Sequence, residues 1–226
     1  VVIFVVGILI AGISKGIDLV YDMRLATARA LTDKAPMVGM ENLEMWLETT
    51  SENSLATGTT SFTNVKNPND NQAIGRWNDI NTAFINPNYK NHAEQATLSY
   101  QPLYIKDGIN GLPALLFDGI DDYIASTTRF IINNFTVFAV GYPQASCTTT
   151  AGQYSGTSGK KYIIYPQQGD VIFANNNAAG SGIALCTNFI AGFTHYNSFM
   201  DYNVNNIATI SKPIQFTLKY SSRTPK

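Results

Sequence analysis

The chain opens on thirteen residues, Val-Val-Ile-Phe-Val-Val-Gly-Ile-Leu-Ile-Ala-Gly-Ile, with no charged or hydrogen-bonding side chain among them. This run passes directly into an amphipathic stretch with a helical rhythm. At about 100° per residue, Ile13, Ile17, Val20, Tyr21, Ala28 and Leu31 share one stripe, and Lys15, Asp18, Asp22, Arg29 and Asp33 fall opposite. The first proline is Pro36, so the pattern predicts one helix from residue 1 to about 34, roughly 50 Å long at ~1.5 Å per residue. Such a rod is apolar all round at its near end and wet on one side at its far end. A small globule cannot finish it; it needs a membrane or copies of itself.

The apolar run is shorter than the ~20 residues of a membrane span. A secretory signal of this length would end in a cleavage site and a fresh start, whereas here the helix continues. Together with the opening Val, this leads us to expect further residues upstream of Val1. Charged residues make up 14% of the 226 residues, with a formal net charge of −1. No basic patch offers a nucleic-acid surface. Low charge with abundant Ser, Thr and Asn between short apolar runs fits a secreted β-rich protein. Cys147 and Cys186 are the sole cysteines. They are either two buried thiols or, in an oxidising compartment, a disulfide closing a long loop, for which chain entropy gives ~4 kcal/mol.

Beyond the rod, Ala35-Pro36 ends the helix and Gly39 supplies a joint, so residues 36–41 read as a connector between a helix at 1–35 and a head at 42–226. Residues 42–48 alternate Leu43, Met45 and Leu47 against Glu44, Trp46 and Glu48, which predicts a half-buried strand. Residues 49–76 are polar and read as an exposed excursion. Thereafter short apolar segments recur at 103–105, 114–117, 123–125, 135–142, 162–165, 171–174, 183–186 and 216–220, punctuated by Gly, Asn, Ser or Pro. That rhythm predicts an antiparallel β-sandwich with no second long helix. The expected class is α+β.

Two resemblances sharpen this reading. VVIFVVGILIAG running into an amphipathic helix resembles the N-terminal stem of type IV pilins and pseudopilins. In that family a leader is removed and the mature chain starts with a methylated Phe followed closely by Glu, residues that would lie before Val1. The resemblance implies a filament built by self-association, with subunits held in the inner membrane before assembly and displayed outside a bacterial cell. Its core and subunit interface would be Val1, Val2, Ile3, Phe4, Val5, Val6, Gly7, Ile8, Leu9, Ile10, Ala11, Gly12 and Ile13, with Gly16, Ile17, Val20 and Tyr21. The later part of the helix, from Val20 to Leu31, would pack partly on its own head. Gly12-x-x-x-Gly16 would let helix backbones approach. Arg24, inside the apolar stripe, either snorkels or meets an acid of a neighbouring copy.

The second resemblance covers residues 41–142. Leu43-Glu44-Met45-Trp46-Leu47, Trp77-Asn78-Asp79, Gln101-Pro102-Leu103-Tyr104, Gly108-Ile109-Asn110-Gly111-Leu112-Pro113-Ala114, Phe117-Asp118-Gly119 with Asp122-Tyr123, and Phe135-Thr136-Val137-Phe138-Ala139-Val140 occur in the order of a concanavalin A-like, laminin-G-like jelly roll. It implies a lectin-like head that meets glycans or other surface ligands. That family closes with further strands, so either the C-terminus differs here or some of it is missing.

The candidate chemistry is sparse. Asp118, Asp121 and Asp122 either supply oxygens to Ca²⁺ or cap a turn. His92 and His195 lack zinc-ligand spacing. Glutamates stand only at 41, 44, 48, 52 and 94; Glu44 and Glu48 could share a strand face, but no glycosidase acid pair emerges, and no nucleophile elbow or phosphate loop is present. Trp46, Trp77, Tyr100 and Tyr104 either stack on sugars or pack internally. The expectation is a non-enzymatic filament subunit. A minor pilin, a secretion-system pseudopilin and a membrane-anchored lectin are the alternatives.

Overall fold

The computed structural model describes residues 2–83, 90–127, 134–146, 162–164, 180–195, 200–206, 209–221 and 224–225. Among the described residues, one long helix, α1 (Val2–Asp33), precedes fifteen strands. Every pairing between strands among the described residues is antiparallel. The α+β class expected from the sequence is therefore what forms. The chain divides into two compact units, Val1–Arg129 and Phe130–Lys226.

α1 runs unbroken because no proline interrupts it. Its end is tightened by short-range bonds, Lys34 N–H to Leu31 O at 3.2 Å and Ala35 N–H to Thr32 O at 3.1 Å, which take up carbonyls left over at a helix terminus. Pro36 then forbids continuation. Gly39, at φ +81°, makes the left-handed turn a side chain would resist.

In the first unit, β1 (Leu55–Thr57), β2 (Thr63–Asn64), β4 (Arg76–Trp77), β5 (Ala93–Glu94) and β8 (Ala125–Ser126) form a sheet ordered β2-β1-β4-β5-β8. A second sheet, β3-β6-β7, joins β3 (Gln72–Ala73), β6 (Leu103–Ile109) and β7 (Leu112–Leu116). Leu55, Ile74 and Tyr104 form the apolar core between strands of both sheets, with Trp77 and Leu115 against it. The β6–β7 turn is Asn110-Gly111, with φ of 53° and 79°, the doubly positive geometry that suits a tight hairpin.

Two expectations fail here. The polar stretch 49–76 is no surface excursion: it supplies β1 to β4 and the buried Ser54, Leu55, Ala56 and Ile74. Its strands are two or three residues long, too short to show an alternation. Residues 42–48 enter no ladder, and Trp46, placed on the wet face, is 8% exposed. The segment is tied down by side chains instead. Buried Asp79 accepts from Trp46 N–H at 2.9 Å and Asn81 N–H at 3.0 Å through Oδ1, and from Asn91 N–H at 3.0 Å through Oδ2. Asn81 donates to Leu43 O, and Asn91 to Glu44 O at 2.5 Å. Buried polar groups so fully paired cost little and fix one arrangement.

In the second unit, β10 (Tyr162–Ile164), β11 (Gly180–Cys186), β12 (Phe189–His195) and β13 (Met200–Asn206) lie in chain order in one sheet. The other is β15-β14-β9, from β9 (Phe135–Gly141), β14 (Ile214–Ser221) and β15 (Thr224–Pro225). Ile183 of β11 meets Leu218 and Tyr220 of β14, with Phe135, Val137 and Phe216 packed around them. Phe135 and Tyr220 stack at 4.3 Å between centroids. Along β9, Phe135, Val137 and Ala139 point inward and Thr136, Phe138 and Val140 outward. The expected segment 171–174 lies outside the described residues.

Candidate functional site

The two sides of α1 are built differently. The side toward the first unit's sheets carries Tyr21, Leu25, Ala28, Arg29 and Thr32. Leu25 is 4% exposed. The Tyr21 and Tyr104 hydroxyls share a hydrogen bond of 3.0 Å. Burial, then the bond to Tyr21, pushes the Tyr104 phenol above its ordinary value. Lys106 Nζ lies 4.3 Å from the centroid of the Tyr21 ring and 3.5 Å from Asp18.

Arg29 does the most. Its Nε donates to Thr50 O at 2.7 Å, and Nη2 donates to Lys66 O at 3.1 Å and Asn67 Oδ1 at 2.8 Å. Nη1 reaches Glu52 at 3.3 Å. The Lys66 ammonium, bonded to Glu52 at 2.7 Å, holds that carboxyl below its usual range, against a smaller opposing effect of burial. Thus the residue read as solvent-facing is the helix's main polar anchor. A helical wheel ranks apolar faces and cannot register a charge whose partners are distant main-chain carbonyls. Arg24 is exposed and lies over the hairpin tip: a Cβ on Gly111 would come within 2.5 Å of its Nη1.

Among the described residues, the opposite side has no such partners. Ile13, Ile17, Leu19, Val20, Met23 and Leu31 are all exposed, Ile17 at 65% and Leu31 at 67%. Ile13, Ile17, Val20 and Leu31 were expected on one stripe, and they are; the head, however, takes the face beside it. Of residues 20–31, only Tyr21, Leu25, Ala28 and Arg29 turn inward. A side chain added at Gly12 or Gly16 would meet nothing within 4 Å. Val6 is exposed. Val1 lies outside the described residues, as do the side chains of residues 2–5, 7–11 and 14. Among the described residues, no helix is long and apolar enough to cross a membrane.

The aspartates at 118, 121 and 122 do converge, with one carboxylate oxygen of each lying within 4.8 Å of the others. Asp118 Oδ1 caps the turn, accepting from the N–H groups of Ile120, Asp121 and Asp122 at 2.7, 3.2 and 3.3 Å. Asp122 Oδ2 accepts from Asp118 N–H at 2.9 Å. Burial raises the Asp122 carboxyl above its ordinary value, and the charges of Asp118 and Asp121 add to this against that hydrogen bond. Three like charges this close would welcome a cation, while the main-chain bonds hold the turn without one.

The acids considered for sugar hydrolysis are separated in role. Glu48 is spent on its own turn, accepting from Thr50 N–H at 2.7 Å, Thr50 Oγ1 at 2.6 Å and Ser51 N–H. Glu94 is paired with Arg76 at 2.6 Å. Glu44 is exposed. Of the four aromatics, Trp77 donates its indole N–H to Glu48 O at 2.7 Å, and Tyr104 is buried. Tyr100 is partly exposed and faces Tyr123, 6.0 Å away.

A cavity of about 510 Å³ opens in the first unit, lined by Thr32, Asp33, Val38, Trp46, Ser51, Asn53, Asn64, Arg76, Asn78, Asp79, Ile80, Thr82, Lys90 and His92. Composition gives no hint of it, because its lining comes from five separate stretches. His92 Nδ1 accepts from Asp79 N–H at 3.1 Å, which places the proton of the neutral ring on Nε2. Burial lowers the His92 pKa from its usual 6.5, with the Arg76 charge acting the same way. Lys90 Nζ donates to the carbonyls of Asp79 at 3.2 Å and Asn81 at 2.9 Å.

Cys186 is fully buried in β11 and disulfide-bonded. Cys147, the other cysteine of the sequence, lies outside the described residues. His195 ends β12. Comparison of the chain with protein-family models, with characterised proteins and with solved structures finds no match.

Proposed function

We propose that this chain is a structural subunit of an extracellular, type IV pilus-like filament on a bacterial surface, polymerising through α1 and carrying a laminin-G-like jelly-roll head outward for adhesion or surface contact. One observation carries the reading. α1 is fastened to its head along one side and presents Ile13, Ile17, Leu19, Val20, Met23 and Leu31 bare along the other. Six large apolar side chains at ~1.5–3 kcal/mol each stand to gain on the order of 10 kcal/mol on full burial. A second copy of the same helix is the occupant that extends such burial along a fibre without limit. Gly12 and Gly16 are clear of obstruction, so two helix backbones can close on each other there.

The inner membrane is the proposed store of subunits before assembly, and glycans or other surface molecules are the proposed targets of the head. A single jelly roll over residues 42–226 is the finer reading of these antiparallel sheets. Catalysis has no part in this function, and Ca²⁺ at the Asp118 turn is optional to it.

Electron microscopy of material shed from the native cell surface, with mass spectrometry of its main component, tests the proposal. Uniform fibres composed mainly of this chain are expected. Fibres in which it is a trace component would favour a minor pilin or pseudopilin. Monomers released only by detergent, with no fibres, would favour a membrane-anchored lectin and refute the filament.

A further inference from the structure

We infer that the cavity beside the end of α1 in the first unit binds a small zwitterion, a free α-amino acid or a dipeptide, with its ammonium toward Asp33 and its carboxylate toward Lys90 and Arg76. The inference goes beyond the filament reading and does not depend on it. At about 510 Å³ the cavity falls within the ~300–1,000 Å³ of small-molecule sites.

The lining holds charges of both signs, carried on different elements. Asp33 stands in the last turn of α1, which has no basic side chain. It therefore adds to the negative end of the helix dipole, where an anion is unfavourable. Among the described residues Asp33 has no ion-pair partner. An ammonium arriving from outside relieves both deficits.

The positive charges come from β4 and from the stretch that leads into β5. Lys90 Nζ donates to the carbonyls of Asp79 at 3.2 Å and Asn81 at 2.9 Å, which uses two of its three protons. Among the described residues it meets no carboxylate. Nor is Asp79 open to a ligand, since its oxygens accept from three main-chain N–H groups. Arg76 gives Nη2 to Glu94 at 2.6 Å and lies over Phe62 at 4.6 Å, while its Nε–H is buried without an acceptor. A buried donor in that state is costly. A carboxylate supplies acceptors for both residues.

Charge then selects the ligand. A plain anion meets Asp33, and a plain cation meets Lys90 and Arg76. A molecule that carries both charges avoids either penalty.

The test is isothermal titration calorimetry of the full chain, in a nonionic detergent at neutral pH, with glycine, alanine, glutamine and alanyl-alanine. Saturable binding of at least one is expected. Acetate and ethylamine, which carry one charge each, should bind at least tenfold more weakly. Asp33→Asn should weaken the zwitterion at least tenfold. The residue is exposed and the change removes an anion from a helix C-terminus, so folding tolerates it. In Asp33→Lys the preference should invert, with acetate binding at least as tightly as the zwitterion. Absence of saturation with all four probes, acetate or ethylamine binding the parent as tightly, undiminished affinity in Asp33→Asn, or no inversion in Asp33→Lys would each overturn the inference.

Discussion

The two long sides of α1 meet opposite fates. One side is committed inside the subunit: Leu25 is buried, Tyr21 reaches Tyr104, and Arg29 spreads over Thr50, Glu52, Lys66 and Asn67. The other leaves Ile17, Val20, Met23 and Leu31 exposed. The difference teaches that apolar character alone does not assign a helix face to its own fold. The committed side is held by specific polar contacts to fixed carbonyls, and the more continuous apolar side is reserved.

Substitutions on the two sides should therefore separate folding from assembly. The largest effect is expected from Ile17→Asp with Val20→Asp. Fibres seen by electron microscopy should be abolished, while unfolding of the subunit stays within ~0.5 kcal/mol of the parent, as for other exposed positions. Leu25→Ala, on the committed side, should cost ~2–5 kcal/mol in chemical denaturation. Arg29→Ala should cost about 2 kcal/mol, because it strips hydrogen bonds from the Thr50 and Lys66 carbonyls. Variants at Leu25 and Arg29 that still fold should assemble. If either abolished fibres while leaving stability intact, the division between the sides would break down.

Smaller still, Tyr21→Phe removes one partly buried hydroxyl pair and should cost ~1 kcal/mol or less. The smallest effect concerns pH. His92 titrates below its usual 6.5 in the folded chain because burial disfavours its charged form. Its contribution to stability is complete above pH 6.5 and is lost as pH falls through the lowered value. Denaturation midpoints measured from pH 7 downward should show this loss in the parent and a weaker pH dependence in His92→Asn.

Much of this was legible where pattern and structure share a period. The uninterrupted α1, the alternating β9 and the apolar cores of β11 and β14 were all readable. What hid was burial achieved through pairing. Asp79, Asn81 and Asn91 are polar, yet they are interior residues satisfied by main-chain partners. The same pairing turns Trp46 inward, against an alternation that placed it in solvent. β12 and β13 escaped notice because Gly192 and repeated Asn residues dilute their apolar rhythm, although β12 pairs with β11 across all seven positions. At the candidate site, the apolar stripe was legible, while the exposure of Val20 and Leu31 and the role of Arg29 were not.

The central claim, that the bare side of α1 meets another copy of itself, is tested most directly by cysteine cross-linking in assembled material. Ile17→Cys and Val20→Cys chains should form disulfide-linked dimers on oxidation, in much higher yield than Asp22→Cys. Absence of dimers at both apolar positions, or equal yield at Asp22, would contradict it.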